Sequence, residues 1–310
     1  MNILKAVLPV IAMILIGMLL REKNVLNSKS VEGLQALVMN VTLPISLFGT
    51  FYKTSLSLDV SVLPAILFVL VVAGIFLGKF MSKLFRLSDR YMPFMLSGYE
   101  NGMLGYALLA ILAGAEGTKS LAVMDIGHTL AIFTVYIAML KNENGEKQSA
   151  SDVIKGLLKT PVLVAAVLGA VVGISGLGGV LSKSPAGAVV DELCDFISAP
   201  TGAAILCVIG YRMKFSGIDW KNTLKACGVR ILMQAVLLAI VLLLLKLIGG
   251  ICAAEITILT IILVFILPPP YILPLYIEEE NKKEFYSSAL SIYTLLTIIG
   301  FIILAIVKLG

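Results

Sequence analysis

Long apolar blocks, separated by short polar connectors, run along the whole chain. A bilayer crossing takes roughly 20 apolar residues, so each block predicts one transmembrane helix. The most polar connector, KNENGEKQSASD at residues 141–152, divides the chain into two halves of five blocks. We therefore predict an all-α polytopic membrane protein with ten spans, at residues 3–20, 31–52, 61–82, 91–113, 119–140, 155–174, 187–211, 226–248, 255–277 and 286–308.

The ninth block contains three consecutive prolines, Pro268, Pro269 and Pro270. Proline lacks a backbone N–H and clashes with the carbonyl four residues earlier, so this run must end an α-helix. The carbonyls that lose their partners cannot face lipid, and the break must be buried in protein or line a wet cavity. A half-helix beginning after the prolines would point its N–H groups, together with Tyr271, at a bound carboxylate. A packed kink without ligand contact is the alternative.

The fourth block has its own break, GYENGMLGY at residues 98–106. We expect it about halfway across, at the depth of the ninth-block prolines. A carboxylate there is costly by a few kcal/mol, so Glu100 should face the interior and relay ions or protons. Asn101, Gly102 and Gly105 would supply amide and backbone groups to a ligand. A permanently neutral Glu100 that caps the broken backbone, with glycines that only pack helices, is the alternative.

The second and seventh blocks each have a mid-span proline with small polar neighbours. These residues are Asn40, Thr42, Pro44, Ser198, Pro200 and Thr201. Five spans per half is an odd number, so two halves of one fold must be inverted relative to each other. Interrupted segments at corresponding places in such halves point to a transport site. The Ser and Thr hydroxyls alternatively bond their own backbone or a neighbouring helix.

Further candidates for ion coupling are acidic and histidine residues inside the blocks. Asp125 and His128 lie three apart in the fifth block, hence on one helix face. They form either a proton-sensitive pair, since histidine titrates near neutral pH, or a purely structural one. Asp195 lies about a third of the way into the seventh block. It joins Asp191 and Glu192 in an outward acidic mouth, unless these two are merely interfacial.

Composition and charge support a multi-pass protein of the cell (inner or plasma) membrane. The chain is 59% hydrophobic and only 14% charged, against about 25% charged residues in a soluble domain. With Arg230 counted in the connector before the eighth block, 18 Lys and Arg lie on one side and six on the other. The positive-inside rule makes the richer side cytoplasmic and both termini external.

The sequence gives no sign of an enzyme. It has one histidine and no H-E-x-x-H, G-x-S-x-G or Gly-rich nucleotide motif. Its cysteines, Cys194, Cys207, Cys227 and Cys252, are far apart and predict neither a metal site nor a disulfide framework. We expect no cofactor beyond a coupling H⁺ or Na⁺, and no nucleic-acid partner.

The motifs TLPISLF, GMLG and PTGAAILCVIG, with the multi-proline ninth block, resemble the auxin efflux carrier family in its compact bacterial form. The resemblance covers essentially the whole chain. It implies two inverted five-helix repeats, residues 1–140 and 153–310, joined by a cytoplasmic linker at 141–152. The fourth and ninth helices would cross as broken helices, in a fold related to bile acid/sodium symporters.

The resemblance also implies a secondary carrier of organic anions: auxin in plants, malate- or malonate-like carboxylates in bacterial members. Two residues depart from the family pattern. Glu100 stands where an amide is usual, and Ala107 where a proline is usual. A carboxylate in place of an amide suggests proton or cation chemistry.

Our working hypothesis is alternating access. A core of spans two to five and seven to ten moves against a scaffold that includes spans one and six, with Glu100 as the coupling group. The alternatives are a sodium-coupled symporter of bile-acid-like anions, a cation/proton antiporter using Glu100, and a membrane sensor. The expected partners are a small organic anion and the lipid bilayer. The sequence is compatible with a homodimer and leaves the oligomeric state open, since carriers of this type often dimerise through scaffold helices.

Overall fold

The chain folds into helices throughout the part described by the structure, a computed structural model. That part comprises residues 2–53, 62–87, 89–146, 149–213, 215, 218–248 and 254–309. It contains no strand, which confirms the all-α class. Cys252 and the connector residues Lys147 and Lys214 lie outside it. The α-helices are α1 (Asn2–Glu22), α2 (Ser28–Leu37), α3 (Leu43–Tyr52), α4 (Val62–Leu84), α5 (Met92–Leu96), α6 (Tyr106–Ala131), α7 (Ile137–Glu143), α8 (Ala150–Leu158), α9 (Pro161–Ile174), α10 (Leu177–Ser182), α11 (Pro185–Ser198), α12 (Thr201–Arg212), α13 (Trp220–Ile248), α14 (Glu255–Ile266) and α15 (Glu280–Leu309).

Several helical stretches are long and apolar enough to cross a bilayer, so the protein is a multi-pass membrane protein. Among the described residues, six stretches meet this criterion: Ser28–Tyr52, Val62–Leu84, Met92–Glu143, Pro185–Arg212, Trp220–Leu247 and Glu280–Lys308. Two shorter apolar helices cover Pro161–Gly173 and Glu255–Ile266. The division into ten spans, their inverted pairing and the external termini stay predictions.

The longest of these stretches, Met92–Glu143, turns sharply at one glycine. Gly114 has φ 58° and ψ −145°, a backbone conformation that is essentially restricted to glycine. The turn lies between the predicted fourth and fifth spans, whose expected limits were residues 113 and 119. It allows the chain to run back, so that the fifth span packs beside the fourth.

The helices pack as two groups. α1 packs along α12, and α3 packs against α9 and α11; we call these five helices the first bundle. α4 packs against α5 and α6, while α13 packs against α5, α14 and α15; we call these six helices the second bundle. The predicted spans two and seven thus pack with spans one and six. The expected division, which placed spans two and seven in the core, was wrong.

Glycines explain part of this grouping, because they allow α1 and α12 to approach closely. A Cβ atom on Gly17 would lie 2.1 Å from the carbonyl oxygen of Cys207. A Cβ atom on Gly210 would lie 2.0 Å from the carbonyl oxygen of Ile14. Small residues at helix contacts are the usual means of close packing in membranes. Because the whole block is apolar, its composition does not tell which neighbour such a glycine faces.

A charged cluster ties together the ends of the second bundle on its Lys/Arg-rich side. Arg90 pairs with Glu279 at 2.8 Å, and Lys282 pairs with Asp89 at 3.0 Å. We call these four residues the charged clamp. Although desolvation opposes ionisation, hydrogen bonds from its own backbone and from Arg90 lower the pKa of Glu279 to about 2. The clamp therefore joins the connector before α5 to the start of α15.

We expect Gly210→Ala to lower the melting temperature of the purified protein. The added methyl group would press on Ile14, and overpacking of this kind costs about 1–3 kcal/mol. The matched control is Gly228→Ala, because a Cβ atom at Gly228 meets nothing within 4 Å. The two variants are compared by thermal unfolding in the same detergent. Equal melting temperatures would show that α1 and α12 are not packed through Gly210.

We expect Glu279→Gln to lower the melting temperature at pH 7, and this difference to disappear in acid. The folded pKa of Glu279, about 2, is below its ordinary value of 4.5. Its carboxylate therefore stabilises the fold above about pH 4.5, and this contribution is lost as the pH falls toward 2. The control is Glu280→Gln, because the Glu280 side chain is 84% exposed. A difference that is the same at pH 7 and pH 3 would contradict the assignment.

Candidate functional site

The predicted break in the fourth span lies between α5 and α6. α5 ends at Leu96, and a non-helical segment then leads to a π-helical turn, Asn101–Gly105, which continues into α6. Gly105 contacts the next interruption, since a Cβ atom there would lie 3.0 Å from the Leu267 side chain. Gly102 lies beside the carboxylate of Glu100, 3.8 Å from Oε1 to the position of an added Cβ. Gly105 thus lies where side chains approach its backbone closely, whereas the distances at Gly102 are ordinary van der Waals contacts.

The break in the ninth span is present, but it differs from the prediction in one respect. α14 stops at Ile266, just before Pro268, Pro269 and Pro270. The only helical piece between them and α15 is a four-residue 3-10 turn, Leu273–Tyr276. The expected half-helix after the prolines does not form, because a further proline inside this turn removes another N–H donor.

The two breaks meet directly, as predicted. The backbone N–H of Glu100 donates to the carbonyl oxygen of Pro268 at 2.9 Å. Gly98 has φ +65°, and a Cβ atom there would lie 2.9 Å from Pro270, so the contact requires glycine. We call the meeting of residues 97–100 with residues 267–271 the junction.

In the fourth span, the helical parts on the two sides of the junction differ in length. α5 has five residues, which corresponds to about 7.5 Å of helix before the break. The thirteen residues 101–113 follow before the turn at Gly114, which corresponds to about 20 Å. The extended segment starts early because the chain enters the helix only at Met92.

Glu100 is the central side chain of the junction. Its Oε1 accepts from the N–H of Met103 at 3.1 Å, and its Oε2 accepts from the N–H of Tyr271 at 2.6 Å. The residue is 9% exposed. Glu100 therefore caps free N–H groups on both interrupted segments. The Tyr271 N–H is among the donors that the sequence pattern assigned to a bound carboxylate, whereas the Met103 N–H was not singled out.

A buried polar network connects the junction to the fifth span. The Asn101 amide donates to Asp125 Oδ1 at 2.9 Å, and the Tyr106 hydroxyl donates to Asp125 Oδ2 at 3.2 Å. Asp125 and His128 pair at 3.0 Å, so their predicted shared face is confirmed. Among the described residues Asn101 Oδ1 has no hydrogen-bond partner, although Asn101 is fully buried.

The hydrogen bonds of His128 define its tautomer. The N–H of Tyr99 donates to His128 Nε2 at 3.3 Å, so Nε2 must be the unprotonated acceptor. The proton of the neutral ring then lies on Nδ1, which donates to Asp125 Oδ1 at 3.0 Å. His128 thus links the backbone of the fourth span to the Asp125 carboxylate.

Arg230 and Gln234 bind the junction and the end of α5, although the sequence interpretation did not include them. Arg230 was counted in a cytoplasmic connector, and this was wrong. α13 begins at Trp220, several residues before the predicted eighth span, and Arg230 is 0% exposed inside it. The signal was a cation inside the predicted eighth block, four residues after its first residue, and buried charges in membrane segments are usually functional.

The polar residues of the second and seventh spans form a separate contact. The Thr201 hydroxyl donates to the Thr42 hydroxyl at 2.8 Å, next to a buried Pro44. A π-helical turn, Val38–Thr42, accommodates this proline, and the seventh span breaks at Pro200, between α11 and α12. Thr42 and Thr201 thus connect the second and seventh spans. This contact agrees with the alternative interpretation, in which these hydroxyls bond a neighbouring helix.

The other candidates do not join the junction. Asn40 is exposed, and so is Asp195. The Ser198 hydroxyl donates to the backbone oxygen of Asp195 in its own helix, at 3.4 Å. Asp191 forms an ion pair with Lys53, so it does not contribute a free charge to an acidic mouth.

A cavity of about 860 Å³ lies between the two bundles and reaches the junction. Met103, Tyr271 and Thr294 line its buried end, where the Tyr271 hydroxyl and the Thr294 hydroxyl lie 2.9 Å apart. Its outer part is lined by charged residues of both signs. These are Arg21, Glu22, Glu32, Arg212, Lys283 and Glu284. Arg21, Arg212 and Lys283 belong to the side that carries the Lys/Arg excess.

Comparison with known proteins places this architecture in a family. A profile of the membrane transport protein family matches residues 2–307. An uncharacterized transporter of Methanothermobacter thermautotrophicus is 24% identical over 217 residues, which is 68% of each chain. The match to the family profile covers both interrupted helices, the buried network and the cavity. The chain therefore belongs to the membrane transport protein family, the auxin efflux carrier family that its motifs resemble.

Proposed function

We propose that the protein is a proton-coupled secondary carrier of small organic anions that works by alternating access. One observation carries this proposal: the Glu100 carboxylate holds the N–H groups of Met103 and Tyr271 at the buried end of the cavity. Membership of a membrane transport family supports transport in general. The contact of a buried carboxyl group with two residues that line the cavity supports coupling to protons.

The coupling step follows from competition for two donors. An ionised Glu100 occupies the N–H groups of Met103 and Tyr271, which are the donors that suit a substrate carboxylate. Protonation converts one carboxylate oxygen into a hydroxyl group and weakens its hold on these donors. A substrate anion then replaces the lost charge, whereas two ionised carboxylates side by side are disfavoured. One proton and one anion therefore bind together.

The buried network supports this step by holding the fourth-span turn in place. Asn101 is fixed through its amide by Asp125, while its Oδ1 atom has no partner in the described part of the chain. In this proposal the free Oδ1 atom accepts a hydrogen bond from the protonated Glu100 or from a substrate hydroxyl. His128 and Tyr106 hold Asp125, so they act as positioning residues.

The two bundles suit the two moving parts that alternating access requires. The cavity lies between them, with Met18 and Ile209 on the first bundle and Met103 and Tyr271 on the second. The charged clamp joins segments of the second bundle, so we propose that this bundle moves as a unit. The inverted five-plus-five repeat and the external termini are part of the same proposal. With external termini, the Lys/Arg-rich side is cytoplasmic. In this proposal the cavity, whose outer part lies on that side, is therefore open to the cytoplasm in the present structure.

We expect Glu100→Gln to abolish accumulation driven by a pH gradient, with at least a tenfold loss of uptake. Glutamine has an amide in place of a titratable carboxylate, so no proton can be bound or released there. Uptake of labelled mono- and dicarboxylates is measured in proteoliposomes with imposed pH or sodium gradients. The matched control is Glu116→Gln, because Glu116 is exposed near the turn at Gly114.

The same assay separates the alternatives. Unaltered pH-driven accumulation in Glu100→Gln would contradict the coupling role of Glu100. Accumulation driven only by sodium would favour a sodium symporter, and proton release driven by an inward cation gradient would favour an antiporter. Ligand-induced stabilisation without flux of any anion would favour a sensor.

We expect Ser287→Cys to react with a membrane-impermeant thiol reagent added from the cytoplasmic side, and substrate to slow this reaction. Ser287 lines the cavity, whereas the adjacent Ser288 is 1% exposed and provides the matched control variant, Ser288→Cys. The four native cysteines are first replaced by serine. Labelling from the external side alone would contradict the proposed orientation.

A further inference from the structure

The carbonyl groups at the junction converge on a single side chain. Both α5 and α14 end there, so their last carbonyl oxygens have no helical N–H partners. Arg230 Nη1 donates to the carbonyl oxygens of Met95 and Ser97, at 3.1 and 3.2 Å. Arg230 Nη2 donates to those of Gly98 and Leu267, at 2.7 and 3.1 Å. One guanidinium group thus binds the C-terminal ends of both interrupted helices.

These four oxygens form the kind of site that a monovalent metal cation occupies. The C-terminal end of a helix has a partial negative charge. In secondary transporters, unwound backbone carbonyls and half-helix ends coordinate a coupling Na⁺. Here a guanidinium, which stays protonated at any accessible pH, is in that position.

Arg230 is held as a cation and not as half of an ion pair. Within the described part of the chain, no carboxylate lies within the 4 Å limit of an ion pair with Arg230. The rings of Tyr99 and Tyr293 lie 5.9 and 5.1 Å from its guanidinium carbon, within the range of a cation–π contact. Carbonyl dipoles and aromatic faces are therefore the groups that balance its charge.

Gln234 binds the carbonyl of Leu96, which lies between the Met95 and Ser97 carbonyls that Arg230 binds. It lies one helical turn after Arg230, and its Nε2 donates to the carbonyl oxygen of Leu96 at 3.0 Å. Its Oε1 accepts from the Tyr99 hydroxyl at 2.9 Å. The end of α5 is thus fully bound by α13, and these carbonyls are already engaged.

We propose that Arg230 is a built-in cation that occupies the carbonyl site where the junction would otherwise bind Na⁺, and that the protein therefore works without sodium. The claim that transport needs no sodium rests on the proposed function. The claim that Arg230 occupies a cation site rests on the geometry alone. Arg230 acts as a positioning and ion-specificity residue, and Glu100 is left as the coupling group.

The test uses the full-length purified protein and compares Arg230→Ala with Arg230→Lys. We expect wild type to have the same melting temperature in NaCl and in choline chloride at equal ionic strength. Arg230→Ala vacates the carbonyl site, so its melting temperature should fall. Millimolar Na⁺ or guanidinium should raise it again in a saturable manner, by about 3 °C or more. Urea at the same concentration should not restore it.

Two further variants keep the test decisive. Arg230→Lys retains the positive charge, so we expect it to fold even if Arg230→Ala does not. Its melting temperature should not change when Na⁺ is added. Lys225→Ala, at an exposed position of the same helix, should respond to neither Na⁺ nor guanidinium. Stabilisation of wild type or Arg230→Lys by Na⁺ would overturn the proposal. So would a folded Arg230→Ala that Na⁺ does not stabilise, whether or not guanidinium does.

A transport assay distinguishes this proposal from the function on which it draws. Wild-type uptake should be unchanged when choline replaces Na⁺ on both sides of the membrane. A strict requirement for Na⁺ would overturn the role of Arg230 while leaving carriage of an anion intact. Absence of any flux would remove the proposed function, and the melting-temperature comparison would still decide the ion site.

Discussion

The structure depends on how main-chain groups freed inside a membrane find partners. Two helices stop at the junction, and neither water nor lipid can satisfy their ends at low cost. Glu100 accepts from the free N–H groups, and Arg230 donates to the free carbonyls. A carboxyl and a guanidinium side chain thus hold the two interrupted helices together. The carboxyl oxygens accept from the free N–H groups, and the guanidinium donates to the free carbonyls at the helix ends, which have a partial negative charge.

This arrangement assigns different roles to the two charges. Arg230 cannot release its proton, so it is a constant part of the junction. Glu100 has a carboxyl group that can change its charge, and it binds the N–H groups of Met103 and Tyr271, two residues that line the cavity. In the proposed mechanism, Glu100 is the group that responds to a solute or to pH. The helices would then remain joined while the occupancy of the adjoining N–H groups changes.

Residue type made one part of the site predictable. Glu100 and the run at Pro268 are rare inside apolar blocks, and Asp125 and His128 show helical spacing, so their burial near the junction followed from chemistry. Arg230 was missed because a cation near the edge of an apolar block also fits a connector. The grouping of the helices was missed too, since blocks that are apolar on every face do not specify their neighbours.

The unequal helical parts of the fourth span bear on the electrical work of the proposed cycle. About 7.5 Å of helix precedes the break and about 20 Å of helix follows it before the turn at Gly114, with the extended residues 97–100 between them. A charge that reaches Glu100 from either side therefore crosses part of the transmembrane voltage. Moving one charge through the full field takes about 2.3 kcal/mol per 100 mV, and this work is divided between the two sides. In the proposed cycle, proton exchange with each side would therefore depend on the membrane voltage.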